Sequence, residues 1–327
     1  MKMSSHLHKS NWCVVVADDH GPEWAPTMQF GERPSPVQYS RLGGSSTLLQ
    51  RAMRRAARMA PPSQVVITAL DECREYWESS VWYVRPENRF VGENRATSLL
   101  TGAAALLAIA QLSPSTVVTI LPARCYVARE WILRAALERA LSILPGVREG
   151  VVTLAMVDID EGIDEDYLAV TRARTGAGLT VLGFARRPTS WTARLLVQQG
   201  AMIASGIMIG YAGVFAAHIS KHWPGLTQIL ARMSAAATAA GSECEVPMDL
   251  QRGVPSPTMK SLRWNPPMFP QRAIPVMGSG WSGLRSQRAV GRVTTYSTIA
   301  NTLVNQPLQD PNLAAASVDG DSCHSLR

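Results

Sequence analysis

CVVVA, residues 13–17, is an apolar run with no polar side chain in it. A strand with one solvated face alternates polar and apolar residues, so this one is predicted to be covered on both faces, as strands of parallel sheets are. Outward from it, residues 12–233 alternate short β-branched runs with longer amphipathic segments, the pattern of βαβ units. Further strands are predicted at 64–69, 81–84, 116–121, 151–157 and 179–184, and helices at 47–59, 95–111 and 128–144. Glu130, Arg134 and Glu138 fall four apart on one face of the last helix, with Leu133, Leu137, Leu141 and Leu144 on the other. The expectation is an α/β fold with a mostly parallel sheet flanked by helices, and a ligand at the C-terminal ends of its strands.

The texture changes after residue 240. Residues 250–309 contain no Asp or Glu but seven basic side chains, with prolines in pairs and near-pairs. The predicted organisation is therefore an α/β domain over 1–240, an irregular C-terminal part of the same domain over 241–295, and a disordered tail over 296–327.

Composition narrows the function classes. The 327 residues carry a net charge of +7, and the pI is about 9.4, which excludes an acidic disordered chain or a disulfide-stapled mini-protein. The five cysteines stand singly, without a CxxC pair, so free thiols are expected and neither a zinc ribbon nor a redox motif is indicated. Before Asp18 the N-terminus has too short an apolar run for a signal peptide, and the expected compartment is cytoplasmic. Two uncharged stretches, 96–123 and 201–217, approach membrane-span length. The first is interrupted by Ser113-Pro114-Ser115 and the second by Gly206 and Gly210, so both read as buried helix plus strand and no membrane is expected. Of 32 basic residues only four are lysines, and the first 200 residues hold just Lys2 and Lys9.

The loop after the first strand is the default phosphate site of such a sheet. Here it reads Asp18-Asp19-His20-Gly21-Pro22-Glu23, whose three carboxylates repel a polyphosphate. Asp18, Asp19 and Glu23 fit either a solvated turn or oxygen ligation of a divalent cation. Arg51, Arg54, Arg55 and Arg58 share one helical face, readable as a solvated surface or as contact with nucleic acid or an acidic partner. The solvated surface is preferred because no aromatic interleaving accompanies it. His218 and His222 have a zinc-compatible spacing but lack the glutamate of HExxH and a third ligand.

Six stretches carry a resemblance: VVVADDHGPEWAP (14–26), ERPSPVQYSRLGGSSTLLQRAMRRA (32–56), VRPENR (84–89), VVTILPARCYVA (117–128), VLGFARRPTSWTARLLVQQGAMIASGIMIG (181–210), and VPMDLQRGVP (246–255) with GSGWSGLRSQRAVGR (278–292). In this order and spacing the chain resembles the bacterial sugar-1-phosphate nucleotidyltransferases, in particular the mannose-1-phosphate guanylyltransferase-like branch, over about residues 12–290. The resemblance implies a Rossmann-like, glycosyltransferase-A-like sheet. It also implies nucleotide contacts at Gly21, Gln38, Asn88, Arg89 and Arg187, whereas a capped loop accounts equally well for Asn88 and Arg89.

The departures fall on the chemistry. The family's Gly-Gly-x-Gly-x-Arg loop has Asp18 and Asp19 at its first two glycines and Glu23 at its arginine, and its Pro-Lys-Gln lysine is missing from Pro34-Ser35-Pro36-Val37-Gln38. Its Pro-x-Asp-His metal aspartate is Arg124 in Pro122-Ala123-Arg124-Cys125, and its Trp-Ser-Asp aspartate is Gly283 in Trp281-Ser282-Gly283. Glu-Lys-Pro becomes Arg186-Arg187-Pro188, and Ala204 replaces the asparagine before Ser-Gly.

The reading is a catalytically degenerate protein that binds a nucleotide, a nucleotide sugar, or another protein such as an active paralogue. The alternative is a divergent active transferase, for which alone Mg²⁺ and GTP are expected, with Asp18, Asp19 or Glu23 on the metal and Arg124 and Arg187 on phosphate. A basic nucleic-acid adaptor is third.

Overall fold

The computed structural model describes residues 11–17, 36–42, 44–157, 165–171, 178–253, 270–285 and 289–293. Ten strands form a single sheet: β1 (Asn11–Val16), β2 (Val65–Leu70), β3 (Arg89–Gly92), β4 (Val117–Pro122), β5 (Val151–Met156), β6 (Tyr167–Val170), β7 (Leu179–Ala185), β8 (Met202–Tyr211), β9 (Cys244–Val246) and β10 (Gln271–Val276). The helices are α1 (Leu48–Ala57), α2 (Arg74–Trp77), α3 (Ser98–Leu112), α4 (Glu130–Ile143), α5 (Ser190–Gln198), α6 (Ala212–His222) and α7 (Pro224–Ala240).

Strands β9, β3, β2, β1 and β4 run parallel, and β10 is parallel to β5. Between these halves β8 runs antiparallel to both β4 and β5. The β6–β7 hairpin spans from the start of β8 to β10, antiparallel to each. The expected parallel arrangement holds for β9, β3, β2, β1 and β4 and for β5 with β10, and the sheet as a whole is mixed: the β6–β7 hairpin reverses the chain, and α5 then carries it from β7 to β8 in that reversed direction.

CVVVA behaves as its pattern demands. Cys13 and Val15 enter one core with Val65 and Ile67, beneath α1 and α4, while Val14 enters the other with Val66 and Val118, beneath α3, α6 and α7. The apolar 95–112 segment, long enough to cross a membrane, is packed in this second core, with Leu100, Ala104 and Ile109 nearly inaccessible. The 201–217 segment is strand β8 running into helix α6.

Two expectations are corrected. Residues 81–84 form a turn, held by the Val84 N–H on Val81 O, and the strand falls instead at Arg89–Gly92. The C-terminal part expected to be irregular supplies β9 and β10, whose apolar alternation was masked by the surrounding prolines. The predicted tail, 296–327, lies outside the described residues.

Candidate functional site

The parallel strands end on one edge of the sheet, at Ala17, Leu70, Gly92, Pro122, Met156 and Val276. Antiparallel β8 begins there. Gln38 and Tyr39 reach this edge from the turn before α1. Gln38 Nε2 and the Tyr39 hydroxyl both donate to Ala17 O, at 3.0 and 3.1 Å, and Tyr39 stacks on Tyr76. Gln38 thus pins the mouth of the first loop. Gly21, with Asp18, Asp19 and Glu23, lies outside the described residues.

Asn88 and Arg89 sit elsewhere. Asn88 Nδ2 donates to Ser63 O ahead of β2, and Arg89 donates from Nε to Val84 O and from Nη1 to Glu243. Asn88 ends the turn before β3 and Arg89 opens the strand, level with Ile67 of β2 and Val15 of β1, two strands across the sheet from Ala17 and short of its end, and both side chains are turned to structural partners. The part of this strand that reaches the candidate edge is the loop that follows it, where Glu93 and Arg95 are exposed and the Asn94 side chain caps the approach to α3.

After β4 the chain is fixed by the Ala123 N–H on Val16 O, and Arg124 is buried with 6% of its surface exposed. Cys125 follows, donating to Pro122 O and receiving Arg55 Nη1 at 3.4 Å. Burial pushes the Cys125 thiol upward, against the opposing pull of Arg55. Arg55 itself is buried and holds Glu130 through both carboxylate oxygens, at 2.7 and 2.9 Å.

This bears on the arginine face of α1. Arg51 donates to Leu42 O and lies over the Tyr126 ring, Arg54 donates to Ser46, and Arg55 is inside. Arg54 and Arg58 are exposed and Arg51 half-buried, as a solvated face requires, and only Arg55 departs from it by turning inside. The helical spacing does not show this because it depends on Glu130, which is distant in sequence.

The segment after β10 is stitched across the loop after β4. Tyr126 and Ser282 exchange two backbone hydrogen bonds of 2.9 Å, Arg129 N donates to Ser279 O, and Arg129 Nη1 donates to Gly278 O. Gly280 takes φ +62° with Ala128 beneath it, where a Cβ would stand 2.7 Å from the Ala128 methyl. Gly283 is thereby fixed against a group absent from the sequence reading. A Cβ at 283 would lie 2.5 and 2.8 Å from the two Glu165 carboxylate oxygens and 2.9 Å from Trp281.

Glu165 and Asp166, both buried, precede β6. Arg285 Nε lies 3.1 Å from Glu165 and its Nη2 3.5 Å from Asp166. The other Asp166 oxygen accepts the Arg187 backbone N–H at 3.1 Å, and its carbonyl accepts from Ala204 N. Arg187 is therefore brought to the same place as Asp166, with φ +40°. The available sequence signal was the acidic run 158–166 ending at the apolar pair Tyr167-Leu168, that is, charge at the start of a strand.

The resemblance expects Mg²⁺ on one carboxylate after β4 and another in the segment after β10. The residues present do not fit it. A guanidinium occupies the first position, and at the second the Glu165 carboxylate fills the space a side chain needs.

His218 and His222 contact each other with ring centroids 4.6 Å apart, and burial together with His222 and Lys221 lowers the His218 pKa to about 4. Among the described residues no group of three or more His, Cys, Asp or Glu is arranged to hold a metal.

No protein-family model matches the chain, and no curated protein matches it in sequence. Solved structures do. A Thermus thermophilus protein described as mannose-1-phosphate geranyltransferase superposes with TM-score 0.61 at 22% identity, covering 87% of this chain and 79% of that one. A Helicobacter pylori protein described as mannose-6-phosphate isomerase superposes with TM-score 0.51 at 15% identity, covering 84% and 99%. The chain shares the α/β fold of these two proteins.

Proposed function

We propose that this nucleotidyltransferase-fold protein binds a nucleotide or nucleotide sugar and does not carry out magnesium-dependent nucleotidyl transfer. Transfer joins a sugar phosphate to a nucleotide α-phosphate, so two anions must meet, and metal plus basic side chains normally offset their repulsion. Loss of one such stabilising group costs about 2.7–4 kcal/mol in the transition state. Groups acting together are not additive, yet several replacements lower the rate by orders of magnitude.

The observation that carries the reading is Gly283, which lacks the metal-binding aspartate the resemblance expects and has the Glu165 carboxylate in the space a side chain there would take. Arg124, buried at the other metal position, supports it. A binding role is supported by Arg187, held by Asp166 ahead of β6, and by Gln38, held at the end of β1, both at the end of the sheet where the parallel strands finish. By resemblance the ligand is a guanine nucleotide or GDP-mannose, with an active relative as the alternative partner. The four described cysteines are buried and unpaired in disulfides, in keeping with a reducing, cytoplasmic setting.

The test is calorimetric titration with GTP and with GDP-mannose, each with and without Mg²⁺, alongside a pyrophosphate-release assay. Metal-independent binding without pyrophosphate release is expected. Magnesium-dependent GTP binding with turnover refutes the reading in favour of the divergent transferase. No binding of either ligand refutes the ligand and leaves the fold as a scaffold for a protein partner.

A further inference from the structure

We infer that Arg285 stands where a divalent cation would: its guanidinium bridges the buried Glu165–Asp166 pair, supplies counter-charge to both acids, and so makes the site independent of metal. This deepens the reading above and rests on it, since it names the residue that makes metal-free binding possible.

Two adjacent carboxylates buried at a strand edge repel each other and require a counter-charge. A hard divalent cation is one solution, because carboxylate oxygens are its preferred ligands. Here the counter-charge is covalently attached. Arg285 reaches both acids from one guanidinium, at 3.1 and 3.5 Å, and all three side chains are at most 15% exposed.

The backbone is bent to achieve this. Among the described residues two non-glycine residues have positive φ, Arg187 at +40° and Leu284 at +52°. Both border this cluster: Leu284 immediately precedes Arg285, and the Arg187 N–H is held by Asp166. Such conformations are strained and persist where the surroundings over-determine them. Leu284 is fully buried against Val37, Leu42 and Leu48, which anchors the turn that aims Arg285. Gly283 completes the arrangement by leaving space for the Glu165 carboxylate. Backbone and side chains on both segments thus combine to place the Arg285 guanidinium on two acids.

The experiment removes the guanidinium and offers a metal. Wild type, Arg285→Ala, Arg285→Lys and the double variant Arg285→Ala/Glu165→Gln are titrated with Mn²⁺ alone, by calorimetry and by melting temperature. Arg285→Ala is expected to bind one Mn²⁺ at least about tenfold more tightly than wild type, a gain of about 1.4 kcal/mol. The double variant loses that gain, and Arg285→Lys, which keeps a cation in place, does not acquire it. If Arg285→Ala fails to fold alone, millimolar Mn²⁺ is expected to restore its folding.

The inference is overturned if Arg285→Ala is folded and indifferent to Mn²⁺, or stays unfolded in its presence. It is equally overturned if wild type binds Mn²⁺ as tightly, or if the gain survives Glu165→Gln. No nucleotide enters these titrations, so the result is independent of whether GTP or GDP-mannose binds.

Discussion

Gly283→Ala tests the arrangement of the site with the smallest possible change. Gly283 is not in the left-handed region, so the substitution carries no backbone penalty of that kind, and its effect is steric. The new methyl would lie 2.5 and 2.8 Å from the Glu165 oxygens and 2.9 Å from Trp281. Contacts this short force a shift. The carboxylate is tied to Arg285, while the segment around Gly283 is stitched to Tyr126 and Arg129, so neither side yields freely. Overpacking of this kind costs about 1–3 kcal/mol, or a fall in Tm of about 2–4 °C per kcal/mol for a domain of this class. The assay is urea denaturation of the single variants and of the Gly283→Ala/Glu165→Ala pair. Because the clash is with the carboxylate, the alanine at 283 is expected to cost at least about 1 kcal/mol less once Glu165 is truncated, a coupling that a double-mutant cycle isolates. A Gly283→Ala protein as stable as wild type refutes the reasoning, as does a cost unchanged by Glu165→Ala. The same crowding predicts that Gly283→Asp, which restores the family's residue, does not restore transfer.

Three further outcomes follow from the internal contacts. Arg55→Ala leaves the Glu130 carboxylate and the Cys125 thiol without their guanidinium; breaking a buried pair costs about 3–5 kcal/mol, and the half-exposed Glu130 sets the expectation at the lower end, read by chemical denaturation. His218, with its pKa lowered to about 4 against 6.5 unfolded, is neutral in the fold, so its contribution is complete above pH 6.5 and is lost as pH falls toward 4; the stability difference between wild type and His218→Gln is expected to change across that window and stay constant above it. Burial raises Cys73 and Cys244 to about 11 and Cys13 further, so Cys13, Cys73, Cys125 and Cys244 are expected to resist a thiol reagent at about pH 8 in the folded protein and to react on denaturation.

The elements legible in the sequence are those whose period is set by burial on known faces. CVVVA, the 151–156 run and the helix at 130–143 follow from side-chain pattern alone, because a doubly covered strand and an amphipathic helix each leave a distinct spacing. Strands β3 and β9 are short, and β10 carries Pro275 in its interior, which reads as a break. Proline fits there because its missing N–H costs nothing where the ladder donor is not required. The antiparallel course of β8 has no signature in its own residues; it follows from the β6–β7 hairpin, which reverses the chain before α5 carries it on to β8. At the site, absences were legible and replacements were not. Arg124 and Gly283 are visible as departures from a motif, whereas the partnership of Arg285 with Glu165 and Asp166 joins distant parts of the chain and follows only from how the loop after β10 crosses the loop after β4.

That partnership separates two histories for a site without its metal aspartates. Simple loss of function leaves charges behind in unmatched combinations, and a buried unmatched charge costs several kcal/mol, which destabilises the edge of the sheet. In this chain the changes answer one another. Where side-chain volume disappears at Gly283 a carboxylate enters, where that carboxylate and its neighbour enter a guanidinium arrives, and the backbone at Leu284 takes a strained conformation to deliver it. Strain retained at the ligand-binding edge of an α/β sheet, away from the bulk of either core, is what a site kept for binding requires. A scaffold that had only to remain folded would gain by relaxing Leu284 and replacing the three charged groups with apolar ones of equal volume, a substitution that is commonly neutral or stabilising. An Arg285→Met/Glu165→Met/Asp166→Val variant puts this to measurement: it is expected to match or exceed wild-type stability in urea while losing nucleotide affinity, and a variant that keeps its affinity would assign the charges to the fold alone.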